Sequence, residues 1–229
     1  PELFARAQEI ISELNAKHEE ARKYQSLLLR CNQKGEVSGD LFENGKPHPI
    51  MQNLSDELLG RKYSYSPNGF FQINLPVYEM VLKEIAKTMD DSPLLDLYAG
   101  VGSIGLSVAK EGQKLTLVEV NGAAVEEMKN NAAGRPNTEC ILAKSEDVTE
   151  YITPDCIVIL DPPRAGCDKK LIDKLLEVQP KKIIYLSCNP ITQARDVAML
   201  AAVYNCSAAQ PYNFFPHTPH IENLIALEK

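Results

Sequence analysis

The sequence contains no Cys-x-x-Cys pair, no apolar run near the roughly 20 residues needed to cross a bilayer, and no excess of basic charge. Each absence closes a class. The six cysteines, at 31, 140, 156, 167, 188 and 206, lack the spacing of zinc ribbons and iron–sulfur cradles, so neither a metal centre nor a cluster is expected in this chain. They are also too sparse for a disulfide scaffold, and reduced thiols in a cytoplasmic protein are expected. Cys140, Cys156 and Cys206 lie in apolar surroundings and read as core residues. With no signal-peptide pattern either, no membrane partner is expected. The balance of 24 Lys and Arg against 31 Asp and Glu gives a net charge of −7, which supplies no general pull toward nucleic acid. No internal repeat or low-complexity stretch is visible. The chain opens on Pro1, not methionine, and reads as a fragment.

What is present is the composition of an ordinary globular protein, 44% hydrophobic and 24% charged over 229 residues. That length holds one good core and a small appended lobe. Residues 3–25 read as an amphipathic helix with Phe4, Ala7, Ile10, Ile11 and Leu14 on one face. Residues 27–30 and 36–42 read as a hairpin around Asn32-Gln33-Lys34-Gly35. This small α+β segment, 1–61, is the tail of an upstream domain or a lobe covering an active site.

From 62 to 229 the pattern is that of a second domain. A strand at 63–66 and a turn lead to Asn74, which suits the N-cap of a helix over 75–89. Strands at 94–97, 115–118, 139–142, 157–160 and 183–186 then alternate with helices near 103–110, 123–133, 169–178 and 192–202. That rhythm predicts an α/β fold with a mostly parallel sheet. Strand-like runs at 207–215 and 223–228 around Pro216-His217-Thr218-Pro219-His220 predict a C-terminal antiparallel hairpin.

Ligands of such sheets bind outside the carboxyl ends of the strands, and three motifs fall there. Leu94-Leu95-Asp96-Leu97-Tyr98-Ala99-Gly100-Val101-Gly102-Ser103 is a strand, a glycine turn and a helix start. Dinucleotide enzymes use a similar turn, and it also serves as a plain tight connection. Asp96 within the strand, where it can meet a ligand's ammonium group, favours S-adenosylmethionine. Glu119 at the end of the next strand, where it can bind ribose hydroxyls, points the same way. Ser145-Glu146-Asp147 lines an adenine or caps a turn. Asp161-Pro162-Pro163-Arg164 ends another apolar strand. Ser187-Cys188-Asn189-Pro190 puts a thiol where a strand stops beside a proline that cannot continue the ladder.

These motifs, with Phe70-Phe71-Gln72-Ile73-Asn74 and His217-Thr218-Pro219-His220-Ile221-Glu222, resemble in order those of the S-adenosylmethionine-dependent RNA uracil-5-methyltransferases over about residues 62–229. The resemblance implies a Rossmann-like class I methyltransferase sheet and methyl transfer to carbon 5 of a uridine, with S-adenosylhomocysteine as product. It implies Cys188 as nucleophile on carbon 6, Glu222 as acceptor of the carbon-5 proton, and Asp161 and Arg164 in the active site. Gln72, Asp96, Tyr98, Gly100, Gly102, Ser103, Glu119, Ser145 and Asp161 would face the cofactor, with Ser103 standing where asparagine is frequent. Partners implied are structured RNA, ribosomal favoured over transfer, and a monomeric state. Full-length relatives carry an RNA-binding β-barrel, and some an iron–sulfur cluster; neither is visible here. The chemistry agrees, since carbon 5 of uracil becomes nucleophilic only when a thiolate adds at carbon 6. Cytosine-5 RNA enzymes usually carry a cysteine directly after the prolines, where this chain has Arg164. A non-catalytic RNA-binding relative is the other reading. The prolines exclude a helical metal site for His217 and His220, which instead orient the turn or contact RNA.

Overall fold

The computed structural model describes residues 26–49 and 52–229, together with positions 5, 8, 9, 12 and 13. The helix expected over 3–25 thus lies almost wholly outside the described residues. The chain divides into two compact units, Pro1–Phe70 and Phe71–Lys229. The division expected at 61/62 falls inside a hairpin of the first unit.

In the first unit, β1 (Ser26–Cys31), β2 (Val37–Glu43) and β3 (Lys46–Pro49) form an antiparallel sheet. The strands β4 (Leu54–Leu58) and β5 (Arg61–Tyr65) form a separate hairpin. The Asn32 turn is where expected, its Oδ1 accepting from the Lys34 and Glu36 amides. Reading 63–66 as a lone strand missed its partner β4, whose Asp56 and Glu57 interrupt the apolar alternation. Asp56 is nevertheless buried, accepting from the Tyr65 hydroxyl at 2.6 Å.

The second unit is built on a seven-stranded sheet. Its strands are β6 (Leu94–Leu97), β7 (Leu115–Glu119), β8 (Thr138–Leu142), β9 (Ile157–Leu160), β10 (Lys182–Ser187), β11 (Asn205–Tyr212) and β12 (Glu222–Glu228). Their spatial order is β11-β12-β10-β9-β6-β7-β8. Strands β6 to β10 pair in parallel, and β12 runs antiparallel to both β10 and β11. This is a mostly parallel Rossmann-like sheet with a C-terminal hairpin. The central strands LLDL and IVIL are buried at every position, as expected when both faces of a parallel sheet are covered. Each fully buried leucine or isoleucine there contributes about 1.5–3 kcal/mol.

The helices start where their sequence can cap them. The first, α1 (Leu75–Lys87), begins at Asn74, whose side chain accepts from the Val77 amide, and it buries Leu75, Tyr78, Val81, Leu82 and Ile85 at helical spacing. The glycine turn feeds α2 (Ser103–Val108). Asn121 caps α3 (Gly122–Ala132), Asp168 caps α4 (Lys169–Val178), and Asn189 caps α5 (Pro190–Leu200). Pro190 occupies the first turn of α5, where its missing N–H costs nothing. Among the described residues no helix is long and apolar enough to cross a membrane.

The topology fixes where chemistry can occur. The chain leaves β6 toward β7 on one side, and β9 lies on the other, so the switch point of the sheet opens between β6 and β9. Because β12 alone runs backwards, its first residue, Glu222, sits at the same edge as the last residues of the parallel strands.

Candidate active site

The carboxyl edge carries two neighbouring groups of side chains. On one side, Asp96 of β6 is fully buried, and its Oδ2 accepts from the Gly105 amide of α2 at 2.8 Å. Only glycine fits there, since a Cβ on Gly105 would lie 2.8 Å from Asp96 Oδ2 and 2.7 Å from Leu117. The other oxygen, Oδ1, is buried without a hydrogen-bond partner. Burial first, then the charge of Glu119, pushes the Asp96 carboxyl up to about 7.

Glu119, at the end of β7, is held by backbone alone. Its Oε2 accepts from the Gly100 amide at 3.0 Å, and its Oε1 from the Val120 and Asn121 amides at 2.9 and 2.8 Å. Asn131 of α3 donates to the Val101 carbonyl and steadies the glycine turn. Gly102 caps α2 in the left-handed conformation. Tyr98 is half-buried with φ of 62°, and burial raises its phenol above the usual range. Ser103 exchanges a hydrogen bond with the Tyr78 hydroxyl at 2.8 Å. Ser145 is buried at the start of a single 3₁₀ turn, Ser145–Asp147. Gln72 is buried in the segment before α1, with its Oε1 unpartnered.

On the other side stand Asp161, Cys188 and Glu222. The β10–β12 ladder ends on Ser187 opposite Asn223, so Cys188 follows β10 at the same end of the sheet where Glu222 opens β12. Asp161 follows the last residue of β9, next to β10 in the sheet. Glu222 is only 4% exposed, although a hairpin acid would ordinarily be solvated. Burial pushes its carboxyl up to about 7. Asp161 is raised well above the carboxylate range by burial, then by the charges of Glu222 and Asp96. The Cys188 thiol is raised by burial, then by Glu222 and Asp161, while the Arg164 guanidinium works in the opposite direction. Asp161 thus lies within the influence of Glu222 and Asp96, and Cys188 within that of Glu222 and Asp161.

The loops bearing Asp161 and Cys188 are tied together. Asn189 Nδ2 and Thr192 Oγ1 both donate to the Arg164 carbonyl, at 2.9 and 3.1 Å, and Arg195 donates to the Ala165 carbonyl. Asp196, fully buried on α5, accepts from the Cys167 amide at 2.9 Å and the Tyr185 hydroxyl at 2.8 Å. A side chain on Gly166 would strike Arg195 and Asp196 at 2.6 Å. Sequence reasoning missed Asp196. Its signal is periodicity: Gln193, Asp196 and Leu200 share the inward face of α5.

Two of the three cysteines expected in the core lie elsewhere. Cys156 is buried as expected, but Cys206 is exposed and Cys140 only half-buried. Cys206 lies on β11, the edge strand, whose residues are exposed almost throughout, so an apolar neighbourhood in sequence did not become a core position. Cys167 is buried, which pushes its thiol up to about 12 and keeps it protonated.

A family model described as tRNA (Uracil-5-)-methyltransferase matches residues 143–229, and one described as methyltransferase small domain matches residues 78–182. A Bacillus cereus protein named as an uncharacterized RNA methyltransferase is 39% identical over 203 residues, covering 83% of this chain and 43% of that protein. A Listeria monocytogenes protein of the same description is 35% identical over 187 residues, covering 77% of this chain and 40% of that protein. The chain thus spans less than half the length of these curated relatives. The crystal structure of Pyrococcus abyssi tRNA (uracil-54, C5)-methyltransferase in complex with S-adenosyl-L-homocysteine matches with a TM-score of 0.77 and 27% identity, covering 87% of this chain and 58% of that one. The tRNA m1G37 methyltransferase of M. jannaschii, at 16% identity and a TM-score of 0.59 over 82% of this chain and 60% of that one, shares the fold alone.

Proposed function

We propose that the chain belongs to the S-adenosylmethionine-dependent RNA uracil-5-methyltransferase family and transfers a methyl group to carbon 5 of a uridine in RNA through a covalent bond between Cys188 Sγ and carbon 6. The observation that carries this reading is that the ends of β10 and β12 bring Cys188 within the influence of a buried Glu222, whose carboxyl is pushed by burial up to about 7. A general base with that pKa is poised to take a proton near neutral pH.

S-adenosylmethionine is the cofactor and supplies an electrophilic methyl group on a cationic sulfonium. The residues present fit it. Asp96 Oδ1 is a buried, unpartnered acceptor beside the glycine turn, and a cation next to it would offset the burial that raises its pKa. Glu119 is fixed by three backbone amides and keeps lone pairs for ribose hydroxyls. Gln72, Tyr98, Gly100, Gly102, Ser103, Ser145 and Asp161 complete the set proposed to face it.

The target base has to leave its stack, because carbons 5 and 6 must meet the Cys188–Glu222 pair edge-on. Cys188 gives its proton to solvent, which the Arg164 charge favours, and Sγ adds to carbon 6 as the double bond shifts to an enolate. Asp161, held protonated by burial and its acidic neighbours, donates a hydrogen bond to a uracil carbonyl as charge develops there. Carbon 5 would then take the methyl group as the methyl's bond to the sulfonium sulfur breaks, leaving S-adenosylhomocysteine with a neutral sulfur. Glu222 then removes the carbon-5 proton, the C5=C6 bond re-forms, and Sγ leaves carbon 6. Ribosomal RNA is the first substrate to test and transfer RNA the second. Methylation of both, extracted from cells lacking the gene and mapped by mass spectrometry, is expected to yield one 5-methyluridine. Methyl transfer to a nitrogen or to cytosine would reject the reading.

A further inference from the structure

The hairpin joining β11 to β12 bears an open hollow of about 320 Å³ on its surface, at the low end of the size range of small-molecule sites. We propose that it is a second nucleobase pocket, which takes an unpaired nucleotide directly flanking the target uridine. The inference rests on the methyltransferase reading and deepens it.

Position is the first argument. The β11–β12 ladder pairs Tyr212 with Glu222, and Glu222 opens β12 beside the end of β10, which Cys188 follows, so the hollow begins one strand beyond the proposed base. Adjacent strands are about 4.8 Å apart, a step that a neighbouring nucleotide can make. The lining is the second argument. Pro211, Pro219 and Ile221 offer apolar surface for a base face, whereas Asn213, Thr218 and His220 offer donors and acceptors for a base edge.

The hollow is also preformed. Asn74 Nδ2 donates to the Phe214 carbonyl at 3.0 Å, and Phe214 packs edge-on against Tyr78 of α1. Thr218 Oγ1 donates to the Phe215 carbonyl and accepts from the His220 amide, while the Phe215 and His220 rings meet edge-to-face. A rigid pocket loses little entropy on binding. Charge is the last argument. With a net charge of −7, this chain gains little from phosphates, so holding bases by face and edge is the recognition its surface suits.

The test uses a short RNA spanning the uridine identified by the methylation assay, with an abasic nucleotide placed on each side in turn. For the full chain, one of the two abasic RNAs is expected to lose roughly tenfold in kcat/KM, the scale of one stacked base. In Asn213→Ala/His220→Ala, both exposed positions, the same comparison is expected to fall to less than about threefold. If the wild-type chain methylates all three RNAs alike, or the double variant keeps the full tenfold difference, the pocket is refuted while the methyltransferase reading stands. If no RNA is methylated at all, both fall together.

Discussion

The two halves of the carboxyl edge are held in different ways. On the β6–β7 side, carboxylates are fixed by backbone amides: Gly105 holds Asp96, and Gly100, Val120 and Asn121 hold Glu119. On the β9–β10–β12 side, the carboxyls of Asp161 and Glu222 receive no hydrogen bond among the described residues, and their positions come from strand register and from the Asn189, Thr192 and Asp196 ties behind them. The first arrangement suits a ligand bound in one fixed pose. The second raises the pKa of its carboxyls, which suits groups proposed to exchange a proton.

If the halves are separable, each can be broken alone. The largest effect is expected for Cys188→Ala, which should lower methylation by about 10³-fold or more while leaving S-adenosylmethionine affinity unchanged by calorimetry. Asp96→Asn should do the reverse first, weakening cofactor binding by about 2 kcal/mol or more, since it removes the charge from the buried, unpartnered acceptor proposed to meet the cofactor's ammonium group. A variant that lost cofactor and RNA chemistry together would contradict the division.

Next in size is Asp196→Asn, which weakens charged hydrogen bonds to the Cys167 amide and Tyr185 hydroxyl. A loss of about 2 kcal/mol in stability is expected in urea titrations, with kcat falling further than cofactor affinity, because the tie supports only the chemical half.

The smallest effect is on pH dependence. Asp96 and Glu222 both have folded-state pKa values raised to about 7. Their stabilising contribution is therefore complete below the ordinary carboxylate range and is lost as pH rises through about 7. The melting temperature of the free protein should fall between about pH 5 and pH 8, and saturating S-adenosylmethionine should flatten that fall by favouring ionised Asp96. S-adenosylhomocysteine, which keeps the ammonium group that Asp96 is proposed to meet, should flatten it to a similar degree.

The same contrast explains what the sequence made legible. The cofactor half is local: an apolar strand, a glycine turn and an acid one strand later are contiguous patterns with known geometry. The parallel strands are equally plain, because burial on both faces makes each an unbroken apolar run. The chemical half is not local. Nothing near Glu222 announces that it is buried, and its neighbour Cys188 becomes evident only when β12 is known to run backwards beside β10. A resemblance between ordered motifs pointed to the pair, and the ladder explains physically why such residues would act together. The strands β3 and β4 escaped notice because proline, aspartate and glutamate break the alternation that marks a strand. Asp196 escaped because an acid in a helix reads as solvated surface unless its spacing is compared with Gln193 and Leu200.

The central claim, that Cys188 and Glu222 act in sequence on one uracil, is tested most directly with Glu222→Gln, S-adenosylmethionine and RNA bearing the natural uridine. Without a base for the carbon-5 proton, the methylated adduct should accumulate, seen by denaturing electrophoresis and mass spectrometry as protein joined to methylated RNA and absent in Cys188→Ala/Glu222→Gln. A Glu222→Gln protein that releases 5-methyluridine at the wild-type rate, or an adduct that survives removal of Cys188, would contradict it.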